Sequence, residues 1–213
     1  MASRGWFITF EGSEGCGKST QIRRLSSMIR NSGREVILLR EPGGTPIGEK
    51  LRHLLQHDES AGAMTSETEL LLFAASRAQL VREVVRPALQ RGAAVLCDRF
   101  LDSTTVYQGV ARALDPIKVS LINDFAVCGT LPDLTLLLDL PVEEGSRRSF
   151  ERGGPADRME QESLSFFEAV RAGYLELAQK YPGRISLIDA APDEASVAKF
   201  IEQVIKERCH GLI

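Results

Sequence analysis

Residues Gly12-Ser13-Glu14-Gly15-Cys16-Gly17-Lys18-Ser19, followed by Thr20, carry the spacing G-x-x-x-x-G-K-S/T. Glycines let a backbone wrap a polyphosphate so that successive N–H groups point inward. A following helix adds the partial positive charge of its N-terminus. Lys18 would then reach the outer phosphates of a nucleotide, and the Ser19 hydroxyl would ligate Mg²⁺. A chance Gly-rich turn can have the same composition. Here, however, the segment follows a strand-like run and opens a helical pattern, which is the context the chemistry requires. Binding a nucleotide does not specify a reaction. No N-K-x-D segment for reading guanine occurs, and a mechanical or switching ATPase and a kinase for a small acceptor both stay open. Glu14 is the residue that fits worst, because it is a carboxylate inside an anion cradle.

A small-acceptor kinase needs a second phosphate site facing the first, and three segments have the right residues. "REPGGTPIGEKLR" spans Arg40 to Arg52, "LFAASRAQ" sets Phe73 and Arg77 four residues apart, and "DRF" is Asp98-Arg99-Phe100. Residues four apart share a helix face. An Asp at a strand's carboxyl end beside a phosphate loop serves as acidic partner for Mg²⁺-bound water. Arg52, Arg77 and Arg99 suit fork-like recognition of one monophosphate, and Phe73 offers a face for a nucleobase. Each has a plainer reading. Arg52 could be a solvated helix residue, Arg77 could pair with Glu69 or Glu83, Phe73 could be core, and Asp98-Arg99 could be a structural ion pair. It is their joint placement after strands, alongside the phosphate loop, that points to a second site. A further stretch, "GSRRSFERGGPADRMEQE", groups Arg147, Arg148, Arg152 and Arg158 around Gly153-Gly154-Pro155. A basic, Gly-hinged segment suits a lid that closes over a nucleotide and excludes water; the plainer reading is a solvated loop of mixed charge.

These residues need elements to hold them. Short apolar runs predict strands at about Gly5 to Glu11, Glu35 to Arg40, and in "AAVLCD", "LTLLLDL" and "RISLIDA". Helical patterns fall at about Lys18 to Asn31, Ile47 to Gln56, Ser66 to Gln90, Ser103 to Arg112 and Pro116 to Val127, around the charged segment, and in a last helix through about Lys206. Strands that are continuous apolar runs, with helices between them, belong to parallel sheets covered on both faces. The predicted fold is therefore α/β, a doubly wound three-layer sandwich with five parallel strands. Ligands in such folds bind at the carboxyl ends of the strands, where the informative residues lie.

Composition bounds the rest. The chain has 213 residues and a formal net charge of −3, compatible with one domain over 1–213 carrying a small mobile lid at about 145–160. That charge argues against non-specific nucleic-acid binding. Cys16, Cys97, Cys128 and Cys209 show no C-x-x-C spacing and read as free thiols in a reducing compartment. The N-terminus lacks a signal-peptide pattern, and no apolar run approaches ~18 residues. A cytoplasmic protein without a membrane span is the expectation.

"FEGSEGCGKST", "REPGGTPIGEKLR", "LLLFAASRAQL", "CDRFLDSTTVYQG", "LPDLTLLLDLP" and "DRMEQESLSFFEAVRAGYLELA" together resemble the thymidylate kinases of the bacterial type. The resemblance runs from about Phe7 to the end, and "EPGGTPIGE" and "DSTTVYQG" are its sharpest signals. It implies a P-loop NTPase-type fold, transfer of the γ-phosphoryl of ATP to dTMP to give dTDP and ADP, Mg²⁺, and a homodimer. By position it implies Phe73 stacked on thymine, Arg77 at the base or the monophosphate, and Arg52 and Arg99 at the monophosphate. Glu41 and Pro42 fall on the same acceptor side. Thr104 and Gln108 fall at the base edge, where a hydroxyl and an amide can read a carbonyl and an N–H, and Tyr107 falls near the sugar. The resemblance places Glu14 outside the cradle, near the acceptor's 3′-hydroxyl, and Ala190 or Ala191 beside adenine. Some members of the family carry a catalytic arginine inside the phosphate loop. This chain has none between Gly12 and Lys18, so the missing cation is expected from the lid, at Arg152 with Arg148 or Arg158 assisting. Without an acceptor, the same residues would fit a nucleotide switch; with a different one, a kinase for another nucleotide or a deoxynucleoside.

Overall fold

The computed structural model describes residues 4–153 and 158–213, and of Arg152 the backbone alone. In chain order the elements are β1 (Phe7–Glu11), α1 (Lys18–Asn31), β2 (Val36–Arg40), α2 (Pro46–Gln56), α3 (Ser66–Leu80), α4 (Arg86–Gln90), β3 (Ala94–Asp98), α5 (Leu101–Thr104), α6 (Pro116–Val127), β4 (Leu134–Asp139), α7 (Val142–Arg152), α8 (Leu164–Lys180), β5 (Ile185–Asp189) and α9 (Glu194–Arg208). The five strands form one parallel sheet in the order β2-β3-β1-β4-β5. This is the predicted α/β fold, a sheet flanked by helices on both faces.

The pattern that gave the strands away belongs to the middle of the sheet. β1, β3 and β4 are buried almost throughout. The edge strands β2 and β5 alternate, leaving Leu38 40% and Leu187 52% exposed, because the covering helices do not reach over both faces at the sheet's margins. On one face Ile8, Phe10 and Leu136 pack against Ile22, Leu25 and Ile29 of α1 and Ile201 and Ile205 of α9. On the other, Phe7, Val95 and Cys97 meet Leu80, Val81 and Val85, while Val106 and Tyr107 pack on Phe166, Phe167 and Val170 of α8.

Helix starts follow capping chemistry. Thr45, Thr65, Asp115, Ser163 and Asp193 each accept a backbone N–H in the first turn of the helix they precede, which satisfies donors that a helix leaves unpaired. α1 is built differently. Its N-cap is Gly17, at φ +90°, with no side-chain cap. The predicted helix from Ser66 to Gln90 is α3 and α4 joined by a wider π-type turn over Val81–Val85. Pro87 has no N–H to donate, which accounts for the loosened ladder just before it. A second wide turn, Thr105–Ala111, extends α5 and buries Val106, Tyr107 and Gln108 in succession. A regular helix would fan three such residues over about 200°; the wide turn gathers them on the inner side.

Candidate active site

Four of the five strands end at residues singled out by sequence. β1 runs into Gly12, β2 into Glu41, β3 into Arg99 and β5 into Ala190. The ends of β2 and β3, with the phosphate loop, α2, α3, the wide turn and Arg148 of α7, line a cleft of about 430 Å³, within the range of small-ligand sites. One wall is Gly15, Gly17, Lys18, Ser19 and Thr20; across from it lie Glu41, Pro42, Arg52, Phe73, Arg77, Arg99, Thr104, Tyr107 and Gln108. Glu14, Asp98 and Arg148 also line the cleft, whereas Gly12, Ser13, Cys16 and Ala190 do not. Arg23, Gln56, Ser103, Met159 and Glu160 line it too, although sequence reasoning did not single them out.

The phosphate loop is held open by close backbone packing. A Cβ on Gly15 would lie 2.1 Å from the carbonyl oxygen of Gly145, and one on Gly145 would lie 2.6 Å from that of Glu14. The first turn of α7 therefore rests directly on the loop. Lys18 donates its ammonium to the carbonyls of Gly12 (2.9 Å) and Ser13 (2.8 Å), and Cys16 Sγ lies 3.5 Å from the same nitrogen. The uncapped start of α1 leaves N–H groups and a positive dipole end facing the loop, an anion site by construction. Ser19 Oγ donates to Asp98 Oδ2 at 3.0 Å. Two hard oxygens so placed fit a divalent cation that takes its remaining ligands from phosphate and water; no cluster of three or more acidic, His or Cys ligands exists among the described residues.

Glu14 turns out of the loop, away from the dipole end. Its carboxylate accepts from Arg99 Nη2 (2.6 Å) and from the Tyr107 hydroxyl (3.1 and 3.0 Å to its two oxygens). Burial pushes the Tyr107 phenol well above its ordinary range, so it stays a donor. Arg99 has a backbone φ of +67°, strained for a side chain with a Cβ. The strain aims its guanidinium at Gly12 O, Glu14 and the Tyr174 hydroxyl, over the Tyr107 ring. Glu11, at the end of β1 and missed from sequence, is the anchor beneath. Its buried carboxylate accepts from the Phe100 and Ser103 N–H groups at the start of α5 and from the Ser103 and Tyr174 hydroxyls. Burial first, and Asp102 second, raise its pKa above the ordinary carboxylate range.

Arg77 is 1% exposed. Its guanidinium pairs with Glu41 Oε2 (2.8 Å) and donates to Asn123 Oδ1, Phe100 O and Thr104 Oγ1, rather than to Glu69 or Glu83. It borders the cleft as part of a buried network. Burial raises Glu41 to about 7 against the opposing pull of Arg77. Arg52 donates to Pro42 O. In the charged segment Arg147 pairs with Glu144 and Glu151. Arg148 bridges Glu144 to the carbonyls of Ala190 and Ala191. Arg158 turns toward Leu55 O and Glu69. The Arg152 side chain and residues 154–157, including Gly154 and Pro155, lie outside the described residues.

A parallel sheet with a phosphate loop after β1, facing an arginine- and aromatic-lined wall across one cleft, defines the nucleoside monophosphate kinase class of phosphate-loop proteins. Comparison with known proteins narrows this. The family model described as thymidylate kinase matches residues 10–201. A thymidylate kinase of Pseudomonas putida (strain GB-1) is 50% identical over 212 residues, covering 97% of this chain and 99% of the relative. One from Geotalea uraniireducens is 50% identical over 192 residues (88% and 90%). One from Caldanaerobacter subterraneus is 44% identical over 208 residues (98% of each). The chain belongs to the thymidylate kinase family.

Proposed function

We propose that the protein transfers the γ-phosphoryl group of ATP to the 5′-phosphate of dTMP, giving dTDP and ADP. The observation that carries this reading is the two-walled cleft, with the phosphate loop on one side, Arg52, Phe73 and Arg99 on the other, and Glu14 reaching from the first wall to the second. ATP phosphates lie in the cradle of Gly12, Ser13, Gly15, Cys16, Gly17, Lys18, Ser19 and Thr20. The Lys18 ammonium exchanges its loop carbonyls for phosphate oxygens. Mg²⁺, when bound, supplies charge neutralisation on those phosphates; Ser19 would hold it directly and Asp98 through water. Adenine lies by Ala190, where Arg148 already crosses from α7. On the acceptor side Phe73 stacks on the base, Thr104 and Gln108 meet its edge, Tyr107 borders the sugar, and Arg52 and Arg99 hold the monophosphate beside Glu41 and Pro42. Transfer then depends on alignment and on cations placed where charge develops. The segment at about 145–160 acts as a lid on a single domain, with Arg152 as the cation it delivers. The Gly-hinged spacing of the segment and the absence of an arginine between Gly12 and Lys18 support this choice, with Arg148 or Arg158 assisting.

ADP release should require an acceptor. A screen of nucleoside monophosphates with ATP and Mg²⁺ tests this: turnover with dTMP well above the others is expected, and acceptor-independent ADP release would instead identify an ATPase. No helix among the described residues is long and apolar enough to cross a membrane. A homodimer is supported by α6, where Ile117, Leu121 and Phe125, four residues apart, are 71%, 64% and 79% exposed and form one apolar stripe.

Glu14 gives a sharper test. Glu14→Gln is expected to lower kcat/KM for dTMP by roughly ten- to a hundredfold, the scale of a charge-assisted hydrogen bond, and to affect 3′-deoxy-dTMP less. The pairing of Glu14 with Arg99 sets the common part of the loss. Equal losses for both acceptors would show that Glu14 serves only to aim Arg99.

A further inference from the structure

Glu69 lies one turn before Phe73 and two before Arg77 on α3; those two line the cleft, and Glu69 is buried beside it. Glu69 is 2% exposed, yet it is surrounded by donors. Gln108 Nε2 donates to its Oε1 at 2.7 Å, Arg112 spans both oxygens at 3.3 Å, and Arg158 Nη2 donates to Oε2. Burial alone would raise its pKa; the hydrogen bonds from Gln108, Arg158 and Arg112 outweigh it and hold the carboxyl below its ordinary value. Glu69 is therefore an ionised, acceptor-only group.

An acceptor-only partner removes the ambiguity of an amide. Gln108 must turn its NH₂ toward Glu69, and the opposite end of a planar amide is its carbonyl oxygen. Gln108 lines the cleft, so Oε1 is the end left for a ligand. The two arginines reinforce the arrangement, since they also demand acceptors and keep both Glu69 oxygens in place.

We propose that Glu69 is a positioning residue for base selection: it locks the Gln108 amide with its carbonyl toward the acceptor, favouring a pyrimidine with a ring N–H over one with a ring-nitrogen lone pair. This rests on the reading above that the acceptor base lies against Phe73. A thymine or uracil edge offers the N–H that Oε1 can accept. A cytosine edge would set one lone pair against another in a buried site, where an unmatched polar group is costly. Free rotation of the amide would erase that preference, because its NH₂ end would satisfy cytosine equally well.

The test is the ratio of kcat/KM for dTMP to that for dCMP. Glu69→Gln makes the partner an amide that can keep its oxygen on the arginines and give its own NH₂ to Gln108, which then flips. The ratio is expected to fall by about tenfold or more. Glu69→Asp keeps an acceptor-only group and should hold the ratio within about threefold, even if its shorter reach lowers both rates. A ratio unchanged in Glu69→Gln, with both rates reduced alike, would overturn the proposal and leave Glu69 a packing residue. Should Glu69→Gln not fold, the wild-type enzyme decides. The side-chain NH₂ signals of Gln108, identified by their loss in Gln108→Leu, should exchange slowly with solvent, and rapid exchange would overturn the lock. A wild type that does not prefer dTMP over dCMP would refute the acceptor assignment itself, a result separate from any failure of the lock.

Discussion

Arg152→Ala is expected to lower kcat by about 10³-fold or more while moving KM for dTMP by only a few-fold, in line with the loss of an arginine that acts on transition-state charge. The expectation rests on the reading proposed above, in which the lid supplies the cation that the phosphate loop lacks; the other basic residues nearby serve as controls. Arg147 is exposed and paired within its own helix, and such pairs contribute little. Arg148 is tied to the carbonyls after β5 and Arg158 to Glu69 and Leu55. Steady-state kinetics on Arg152→Ala, with Arg147→Ala as the control of similar charge change, measures the difference directly. Arg147→Ala should retain near-normal kcat. An undiminished kcat in Arg152→Ala would shift the role to Arg148 or Arg158 or take it out of the lid.

Arg77→Ala is expected to lose about 3–5 kcal/mol of folding stability, the cost of stranding one partner of a buried ion pair. Removing the guanidinium also abandons Asn123, Phe100 O and Thr104, so loss of dTMP use will accompany the loss of stability. The pH dependence separates these effects. Glu41 is raised to about 7 from 4.5 even with Arg77 present, and without it the carboxyl moves further in the same direction. A folded-state pKa above the unfolded one means that the folded protein binds the extra proton. The stabilising contribution is complete below about 4.5 and is lost as pH rises through the folded value. Denaturant melts of Arg77→Ala should therefore show a penalty that is level up to about pH 7, where Glu41 holds its proton in both folded proteins, and that grows as pH rises above it. A penalty independent of pH would mean that Glu41 is not the group left stranded.

What the sequence disclosed and what it concealed divide along chain separation. The phosphate loop, the strand ends and the start and end of α1 and α6 depend on neighbouring residues, and local spacing reads them directly. Glu11 and Glu69 depend on partners far along the chain: Glu11 meets Tyr174 at a separation of 163 residues, and Glu69 meets Arg158 at 89. A lone glutamate at a strand end or on a helix gives no local sign of such a partner. Arg77 shows the intermediate case. Its place beside Phe73 was legible from the four-residue spacing, but its pairing with Glu41, 36 residues away, was not. The wide turn at Thr105–Ala111 was also hidden, since a helix-period pattern cannot announce one extra residue in a turn.

The contact between Gly15 and Gly145 gives α7 the mechanics of a cantilever. Its root is clamped on the phosphate loop, with backbone against backbone and no side chain to act as a spring. A second strut, Arg148 onto the carbonyls of Ala190 and Ala191, braces the beam one turn further along. Arg152 stands at the free end, about 10 Å from the clamp at 1.5 Å per residue. An intact helix does not telescope, so the Arg152 backbone keeps a fixed distance from the loop whether the cleft is filled or empty. On the reading proposed above, a guanidinium carried at that end would be set against the phosphates from a root that the loop itself fixes. A methyl group at position 145 would act as a shim under the root, and the longer the beam, the more that small wedge is magnified at its tip.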